Sequence, residues 1–486
     1  MNLLIDKWIP VRSEEKIKYI SLEELLCNNN DHEIITHRDD MQLATLQMLI
    51  CLTQVLFEPK DEVELSKYLV TELNKKQFQI AIKDYLEWFD LKHIKWPFLQ
   101  TRGVTSKEVT PIQKLFNGMP EGNNHTWRYE SNSRINKVCA NCAAIMLFNQ
   151  STNTPSFGGG FKNPLRGATP IITLVKGKTL RETIWLNILH KGFSSKHYLN
   201  KTVNIPNWVL RINKDDEVEG SNFSLLRGLF WQPGIVELIW QDEQAQAICD
   251  SCAITTNNIV VGFKRQKFAY KLISDFLHPH SPRYFYSKDG KDTTIYPSFK
   301  DLPWWTQVIN LVLKRENGFP SLGVVQYQEL FSDEELCLIF GGYNNNQSKI
   351  TQRSYQIFLL PKGWLKNKKY LEIHLSLALE IGVVLRKKGY GVGKSMGLNL
   401  LPGDGLSNLL TQLQKDYYQE IESIMIDFIA SINLDPVNEI DNQLVTKLTE
   451  IADKSLTDFT RSYSTYVNPV SVKQSIDITI KKLINA

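Results

Sequence analysis

The sequence predicts an α+β protein in which a large mixed α/β domain, residues 1–365, precedes a four-helix bundle, residues 366–486. In the first part, short strand-like and helix-like segments alternate, with repeated glycine and proline between them. In the second part, apolar residues recur three and four positions apart, as on the buried stripe of amphipathic helices. The length of 486 residues suits roughly three average domains or two large ones.

Three segments illustrate the mixed character of the first domain. The apolar stretch Met41–Phe57 predicts a helix, with Asp39 or Asp40 as its cap because either carboxylate can accept free backbone N–H groups. Ile171–Lys178 is rich in isoleucine, threonine, leucine and valine, which predicts a strand. Arg181–His190 has apolar residues at helical spacing. No internal repeat of fixed period is visible.

Four amphipathic segments make up the predicted bundle, and proline lies in or beside the gaps between them. Each helix would bury one apolar stripe against the others. The four segments are Tyr370–Arg386, Leu406–Ile432, Val437–Thr460 and Val470–Ile484.

Composition and charge exclude several classes of protein. Hydrophobic residues make up 42% of the chain and charged residues 22%, which rules out a disordered, fibrous or collagen-like protein. The net charge of +4 is too small for a histone-like protein, so a nucleic-acid site has to be a local patch. From Lys366 onward 14 basic residues balance 14 acidic ones, and the excess therefore lies within residues 1–365.

The N-terminal residues do not predict a signal peptide, because Asp6 falls where its apolar core should be. The uncharged stretch Met41–Phe57 contains glutamines and threonines, which are costly in lipid and ordinary in a protein core. We therefore expect a cytoplasmic protein without a membrane partner. Its seven cysteines are then expected to be reduced.

Four of the cysteines form two Cys-X-X-Cys pairs. Two intervening residues let both thiolates of a turn reach one metal ion, and two such turns complete a tetrahedral site. We predict one structural zinc ion, because four thiolates leave no position open for a substrate. Two chance pairs are the alternative, and a thioredoxin-like redox pair is less favoured. Alanine follows each pair, at Ala143 and Ala253, where zinc knuckles often use glycine. The pairs are Cys139 with Cys142 and Cys249 with Cys252.

A run of three glycines lies between two phenylalanines, with two cations shortly after it. Without a β-carbon, the glycine backbone can come into contact with a ligand. The lysine–serine signature of a P-loop is missing, so nucleotide binding is not supported here. A structural turn and a ligand-binding loop fit the composition equally well. The glycines are Gly158, Gly159 and Gly160, and the cations are Lys162 and Arg166.

Residues 257–283 are locally basic, with aromatic residues between the charges. The mixture suits phosphate neutralisation with one lysine left to enter a groove, although an ordinary solvated strand has the same composition. Gly341–Ser348 predicts a hairpin tip, because Asn and Gly tolerate positive φ. The amide side chains of this segment could form hydrogen bonds with base edges, or they could only be solvated. The central cations of the basic segment are Lys264, Arg265 and Lys267.

No motif demands catalysis. Gly389–Ser395 has the Gly-Lys-Ser end of a P-loop, but Lys388 stands where the first glycine belongs, and no strand precedes it. We find no convincing acid–base pair or nucleophile triad, and we expect no enzyme. A P-loop-like nucleotide hydrolase and a stand-alone zinc-stapled DNA-binding protein are the alternatives.

The order and spacing of these segments together resemble the large (CasA) subunits of the type I-E CRISPR Cascade surveillance complex. The resemblance spans nearly the whole chain, although the C-terminal helices match in pattern more than in residues. The segments that carry it are Asn2–Arg12, Arg38–Met41, Pro97–Gly103, both cysteine pairs, Leu147–Gln150, Phe157–Lys162, Arg227–Pro233, His278–Pro282 and Gly341–Gln347.

The resemblance implies a non-catalytic subunit that inspects double-stranded DNA for the protospacer-adjacent motif (PAM) and helps to open the duplex for guide RNA. It also implies docking of a helicase–nuclease, with CRISPR RNA and other Cascade subunits as partners. Lys267 corresponds to a lysine finger that enters the minor groove. The glycine loop corresponds to Gly158, Gly159 and Gly160, with Gly159 the best candidate for close approach. Gln347, flanked by Asn346, corresponds to a wedge in the base stack. Secondary candidates for DNA contact are Lys264, Arg265, Lys162 and Arg166.

Overall fold

The structure is a computed structural model that describes residues 1–13, 16–28, 32–117, 135–199, 202–242, 244–288, 291–299, 302–346, 349–395, 398, 403–432 and 440–463. The chain divides into two compact units. The first comprises Met1–Lys300, Arg315–Leu330 and Cys337–Phe358, and the second comprises Asp301–Lys314, Phe331–Leu336 and Leu359–Ala486. Two segments of the second unit thus precede residue 365, where the sequence suggests the boundary.

The described residues combine helices of very different length. They are α1 Leu22–Cys27, α2 Asp39–Leu56, α3 Glu62–Val70, α4 Lys75–Ile82, α5 Ala140–Thr152, α6 Leu180–Leu186, α7 Lys191–His197, α8 Leu225–Leu229, α9 Val308–Val312, α10 Leu322–Leu330, α11 Lys368–Ser395, α12 Gly405–Glu420, α13 Glu422–Ser431 and α14 Asn442–Tyr463.

The strands are short except for β11, β16 and β17. They are β1 Ile9–Ser13, β2 Lys16–Ile20, β3 Glu33–Ile34, β4 Thr110–Pro111, β5 Val138–Cys139, β6 Ile172–Val175, β7 Glu217–Glu219, β8 Ile235–Trp240, β9 Ala247–Ile248, β10 Thr255–Thr256, β11 Ile259–Gln266, β12 Lys271–Ser274, β13 Arg283–Lys288, β14 Lys291–Ile295, β15 Gly318–Phe319, β16 Leu336–Asn346 and β17 Lys349–Leu360. The α+β class expected from the sequence is confirmed.

The described residues form several small sheets rather than one continuous sheet. In the sheet that matters most for the site, β11 pairs antiparallel with β4, β5 and β8. A second sheet has the order β17-β16-β6. The remaining sheets have the orders β2-β1-β3, β10-β9, β12-β7 and β14-β13-β15.

Helix α2 is the centre of the first unit and is buried on nearly all sides. The predicted helix is confirmed, and both aspartates accept a backbone N–H at its start, as predicted: the N–H of Asp40 donates to Asp39 Oδ1 and that of Met41 donates to Asp40 Oδ1, over 2.9 Å each. Arg38 is the N-cap residue and makes no side-chain cap, while Asp39 and Asp40 lie in the first turn. The carboxylate of Asp40 also accepts two hydrogen bonds from Arg38, at 2.9 and 2.7 Å, and one from Tyr343.

The predicted strand Ile171–Lys178 is confirmed in β6, and the predicted helix Arg181–His190 corresponds to the shorter α6. Helix α6 ends at Leu186, and the amide of Asn187 links this end to β6: it accepts from the N–H of Val175 and donates to the carbonyls of Val175 and Thr183.

The segment Gly341–Ser348, expected as a hairpin tip, continues strand β16 as far as Asn346. Glycine permits this course because Gly341 lies against the neighbouring strand, where a Cβ would be 2.4 Å from the carbonyl oxygen of Ser354. Strands β16 and β17 are neighbours in one sheet, as the predicted hairpin requires, while Gln347 and Ser348 lie outside the described residues.

Three of the four predicted bundle segments are helical. Tyr370–Arg386 falls in α11, Leu406–Ile432 is divided into α12 and α13 at Ile421, and Val437–Thr460 begins later, as α14. Val470–Ile484 lies outside the described residues, and the four-helix bundle stays a prediction.

The P-loop-like segment Gly389–Ser395 is the end of helix α11. Its glycines allow close helix packing: a Cβ at Gly389 would be 2.8 Å from Leu410, and one at Gly393 would be 2.6 Å from Leu406. A phosphate-binding P-loop requires an open backbone before the helix, so this segment does not form the loop on which the nucleotide hydrolase alternative depends.

Candidate functional site

Strand β11 connects the two parts of the candidate site. Its first residue, Ile259, pairs with Cys139 at the cysteine cluster. Its last residue, Gln266, leads directly into Lys267. A strand of this length spans roughly 23 Å at about 3.3 Å per residue. The cluster and the lysine are therefore fixed at opposite ends of one element.

The two Cys-X-X-Cys pairs come together, as predicted. The four Sγ atoms lie within 4.8 Å of one another. The Sγ atoms of Cys139 and Cys252 are 3.6 Å apart, and those of Cys142 and Cys249 are 3.9 Å apart. Sulfurs around a tetrahedral ion with bonds of about 2.3 Å would be about 3.8 Å apart. The cluster can thus hold a metal ion.

The backbone at each pair presents both thiols to one point. Cys139 is the N-cap residue of α5, so Cys142 lies in the first turn, where the positive end of the helix dipole favours a thiolate. At the second pair, the N–H of Ala253 donates to the carbonyl of Cys249 over 2.9 Å, which closes a tight turn. Ala253 has a φ of 58°, the left-handed conformation that glycine adopts more easily.

The four cysteine thiols differ in the direction in which their pKa is shifted. Hydrogen bonds with Cys139 and Cys142 lower the pKa of Cys249 below its ordinary value and lower the pKa of Cys252 to about 7. The hydrogen bond with Cys139 raises the pKa of Cys142. Tyr19 of β2 also bonds Cys252, and burial followed by this bond raises the pKa of the phenol.

The glycine loop lies against Lys267. A Cβ on Gly160 would be 2.9 Å from the lysine Cδ and 3.0 Å from its Nζ. Gly158 and Gly160 have φ of 114° and 85°, conformations that other residues rarely adopt. Gly159, Gly160 and Lys267 are all exposed. Two motifs separated by about a hundred residues in the sequence thus form one surface.

Arg265 supports the glycine loop through hydrogen bonds and contacts with aromatic rings. Its Nη1 donates to the carbonyl of Phe157 over 3.1 Å, and its Nε donates to Thr110 Oγ1 over 3.1 Å. The guanidinium carbon lies 5.2 Å from the ring centroid of Phe157 and 5.1 Å from that of Phe161. The sequence missed this role, because only the fold brings Thr110 and the loop to the same strand.

The other secondary cations differ in exposure. Lys162 is exposed, with its Nζ 5.5 Å from the ring centroid of Tyr270, and Lys264 is half-buried on β11. Arg166 is 3% exposed and donates to Ser281 Oγ and Asn153 Oδ1 over 2.6 Å each. Burial lowers its pKa to about 10. Because its guanidinium is enclosed, we remove Arg166 from the candidate DNA contacts.

Of the two wedge residues, Asn346 is exposed at the end of β16, and Gln347 lies outside the described residues. The base of the hairpin is firmly held. Tyr343 donates to Asp40 Oδ2 over 2.8 Å and accepts from Asn149 over 2.7 Å. The sequence gives one signal for this network, the adjacent charges of Arg38 and Asp40, but not their partners.

Comparison with known proteins places the chain in a family. A family model described as CRISPR-associated protein Cse1 matches residues 2–457. The CRISPR-associated protein CasA/Cse1 of Thermus thermophilus is 26% identical over 199 residues. That alignment covers 39% of this chain and 39% of the relative, so it spans less than half of the curated protein.

The fold is similar to several solved structures. The crystal structure of CasA from Thermus thermophilus has a TM-score of 0.70 and 17% identity, covering 100% of this chain and 99% of that one. Thermobifida fusca Cse1 has a TM-score of 0.69 and 14% identity, covering 100% and 97%. A chain of a CRISPR RNA-guided surveillance complex has a TM-score of 0.69 and 16% identity, covering 99% of each. None of the described helices has the length and apolar character needed to cross a bilayer.

Proposed function

Because the chain belongs to the CRISPR-associated Cse1 (CasA) family, we propose that it is the DNA-recognition large subunit of a type I-E CRISPR RNA-guided surveillance complex. Its partners in this proposal are CRISPR RNA, the other Cascade subunits and a helicase–nuclease. The similarity to a chain of a CRISPR RNA-guided surveillance complex supports the assembly. Recognition of double-stranded DNA, without catalysis and in the cytoplasm, is the specific task we assign to it.

Lys267 and the glycine loop read the PAM from the minor groove. The observation that supports this most is the contact of the exposed Lys267 with Gly160, which puts one cation and one bare backbone on a single surface. The minor groove distinguishes A·T from G·C mainly through base acceptors and the guanine amino group. A recognition site that consists of one lysine and one loop would therefore accept several related motifs.

Asn346 and Gln347 act after the PAM is bound. Inserting a side chain between base pairs costs a few kcal/mol of stacking. That cost is recovered when the guide RNA pairs with the opened strand and forms the R-loop, since this exchange is nearly balanced. In this proposal the protein starts strand separation, and the RNA supplies the sequence that is tested.

Zinc is the ion we propose for the cysteine cluster, bound by Cys139, Cys142, Cys249 and Cys252. The pairs of sulfurs at 3.6 and 3.9 Å suit its tetrahedral coordination. Four thiolate ligands leave no open position, and zinc would serve here as a structural link. We also retain residues 1–365 and 366–486 as the proposed domains.

The test uses the reconstituted complex carrying Lys267→Ala. We expect the preference for PAM-bearing over PAM-free duplex to fall about tenfold, the scale of one groove contact. Binding curves with both duplexes measure this preference. Lys271→Ala is the matched control, because Lys271 is a nearby surface lysine already paired with Glu217. An unchanged preference in Lys267→Ala would contradict the proposed reading element.

A stand-alone zinc-stapled DNA-binding protein is the remaining alternative. Affinity purification of the tagged chain from its native cell separates the two. The proposal requires a small guide RNA and several protein subunits to co-purify in fixed proportion. Recovery of the chain alone, with full PAM preference in the absence of RNA, would favour the alternative.

A further inference from the structure

We propose that Arg265 is a positioning residue that sets the glycine loop in register with Lys267, rather than a cation that contacts DNA. The inference rests on the proposed function, because it concerns the same reading surface. The sequence favours DNA contact for Arg265, since it stands within a basic segment. Its contacts in the fold favour the other role.

The guanidinium of Arg265 is engaged on several sides. It lies within 5.2 Å of the ring centroids of Phe157 and Phe161, which flank the three glycines. Those two rings pack edge to face, with centroids 5.7 Å apart. One N–H donates to the carbonyl of Phe157 and another to Thr110. Arg265 therefore binds both ends of the loop and also the neighbouring strand β4.

The geometry of the strand relates the position of Arg265 to that of Lys267. Side chains two residues apart project from the same face of a strand. Phe263 and Arg265 share one face of β11, and both contact Phe157; the two phenylalanine ring centroids lie 5.5 Å apart. Lys267 follows two residues after Arg265 and lies against Gly160. Strand β11 thus supports the loop through Arg265, and the first residue after the strand is the lysine that lies beside the loop.

The planar guanidinium suits this task better than an ammonium group. Its donors point in fixed directions while its faces stack on aromatic rings, whereas a lysine offers a single charged point on a flexible chain. A lysine at position 265 would keep the charge but would not hold Phe157 and Thr110 together. This difference separates a positioning role from a phosphate contact.

The experiment compares Arg265→Lys with the wild type in the reconstituted complex. We expect PAM preference to fall at least about tenfold, as for the loss of a groove contact. In the free chain, hydrogen exchange of the Phe161 amide, which bonds the carbonyl of Gly158, should accelerate. In an Arg265→Gln variant, which removes the charge, the slope of log affinity against log salt should stay unchanged, because a phosphate contact would contribute about 0.9 to it.

Thr110→Val is the second variant, since it removes one partner of Arg265 without changing any charge. We expect the same effects, smaller in size, and this variant keeps the test available if Arg265→Lys folds poorly. Full PAM preference in Arg265→Lys, together with its loss in Lys267→Ala, would overturn the inference and leave the proposed function standing. An unchanged preference in Lys267→Ala would overturn the proposed function itself. A salt slope reduced by about 0.9 in an Arg265→Gln variant would show a phosphate contact instead.

Discussion

Gly159 and Gly160 are neighbours in the sequence but have different surroundings. A Cβ on Gly159 would meet no atom within 4 Å. A Cβ on Gly160 would press on Lys267, and Gly160 also has a φ of 85°. The two positions therefore separate two reasons for a loop to use glycine. One reason is access for a ligand, and the other is packing and backbone conformation within the free protein.

Gly159→Ala should leave the free protein unchanged and weaken its binding to PAM-bearing DNA. The added methyl group has open space in the protein, so any loss arises from the approach of DNA to the loop. We expect about a tenfold loss of affinity, the scale of one groove contact. Thermal unfolding of the free chain and binding by the complex measure the two effects.

Gly160→Ala is the comparison variant. We expect it to lower stability by about 1 kcal/mol, because alanine is strained at positive φ, and to displace Lys267. If Gly159→Ala bound DNA like the wild type while Gly160→Ala lost PAM preference, the loop would act only by holding Lys267.

Residue type alone predicts which side chains are charged, but not which reach the surface. Lys267 and Arg166 were both predicted near the reading surface, and only Lys267 is exposed. Arg166 is enclosed by Ser281 and Asn153, one of them more than a hundred residues away in the chain. Such burial depends on contacts between distant segments. The cysteine spacing was more informative, because two Cys-X-X-Cys turns have few other uses.

At the scale of elements, the histidine of α11 links this helix to the start of α14. The Nδ1 of His374 bonds the carbonyl of Tyr370 over 2.8 Å, and its Nε2 accepts from the N–H of Asp441 over 2.8 Å. Asp441 in turn accepts two backbone N–H groups of the first turn of α14. The bond at Nε2 requires the neutral ring, since a proton on Nε2 would face another donor, whereas Nδ1–H can donate to the carbonyl of Tyr370 in either form.

Acidification should therefore destabilise this helical unit. Burial lowers the pKa of His374 below 6.5, although Tyr370 and Asp441 act in the opposite direction. The unfolded chain then binds the proton more readily, so the stabilisation is complete above pH 6.5 and is lost as the pH falls below it. Urea unfolding of the free chain between pH 7.5 and 5.5 measures the loss.

His374→Phe removes the titrating group and keeps a ring to pack on Phe428, whose centroid lies 5.1 Å from that of His374. We expect this variant to be less stable at pH 7.5 by about 2 kcal/mol, since two hydrogen bonds are lost at about 1 kcal/mol each. It should also lose less stability on acidification than the wild type. Equal pH dependence in the two proteins would contradict the role given to His374.

Helical periodicity predicted most of the long C-terminal helices, because each has an apolar stripe that repeats over several turns. It did not predict the division at Ile421, where neither glycine nor proline marks a break. It also did not predict that β16 extends through an asparagine-rich segment. Pairing with the distant strand β6 ends at Gly341, so the asparagine-rich end of β16 has only β17, which begins at Lys349, as its neighbouring strand.

For the whole molecule, the modest charge of +4 agrees with the proposed reading surface. That surface needs only Lys267, Lys264 and Lys162, now that Arg166 is buried and Arg265 supports the loop. Each phosphate contact adds about 0.9 to the salt slope, so three cations give a shallow dependence. We expect such a subunit to inspect DNA briefly and to leave stable binding to the guide RNA.

The cysteine cluster acts over the longest distances in the chain. Cys139 and Cys252 are 113 residues apart, and Cys142 and Cys249 are 107 apart. Linking residues so distant removes much of the freedom of the unfolded chain. For a covalent link closing a loop of about 100 residues, this amounts to about 4 to 5 kcal/mol. The first unit should therefore depend on the bound metal for much of its stability.

Removal of the metal is thus expected to lower the unfolding temperature of the chain markedly. Purified protein should contain about one zinc ion per chain, and Cys139→Ser or a strong chelator should abolish it. Cys27→Ala is the matched control: burial raises the pKa of this thiol to about 11, and it lies outside the cluster. Metal analysis and thermal unfolding give both readouts. Metal-free wild-type protein that unfolds at the same temperature as the loaded protein would contradict a structural zinc site.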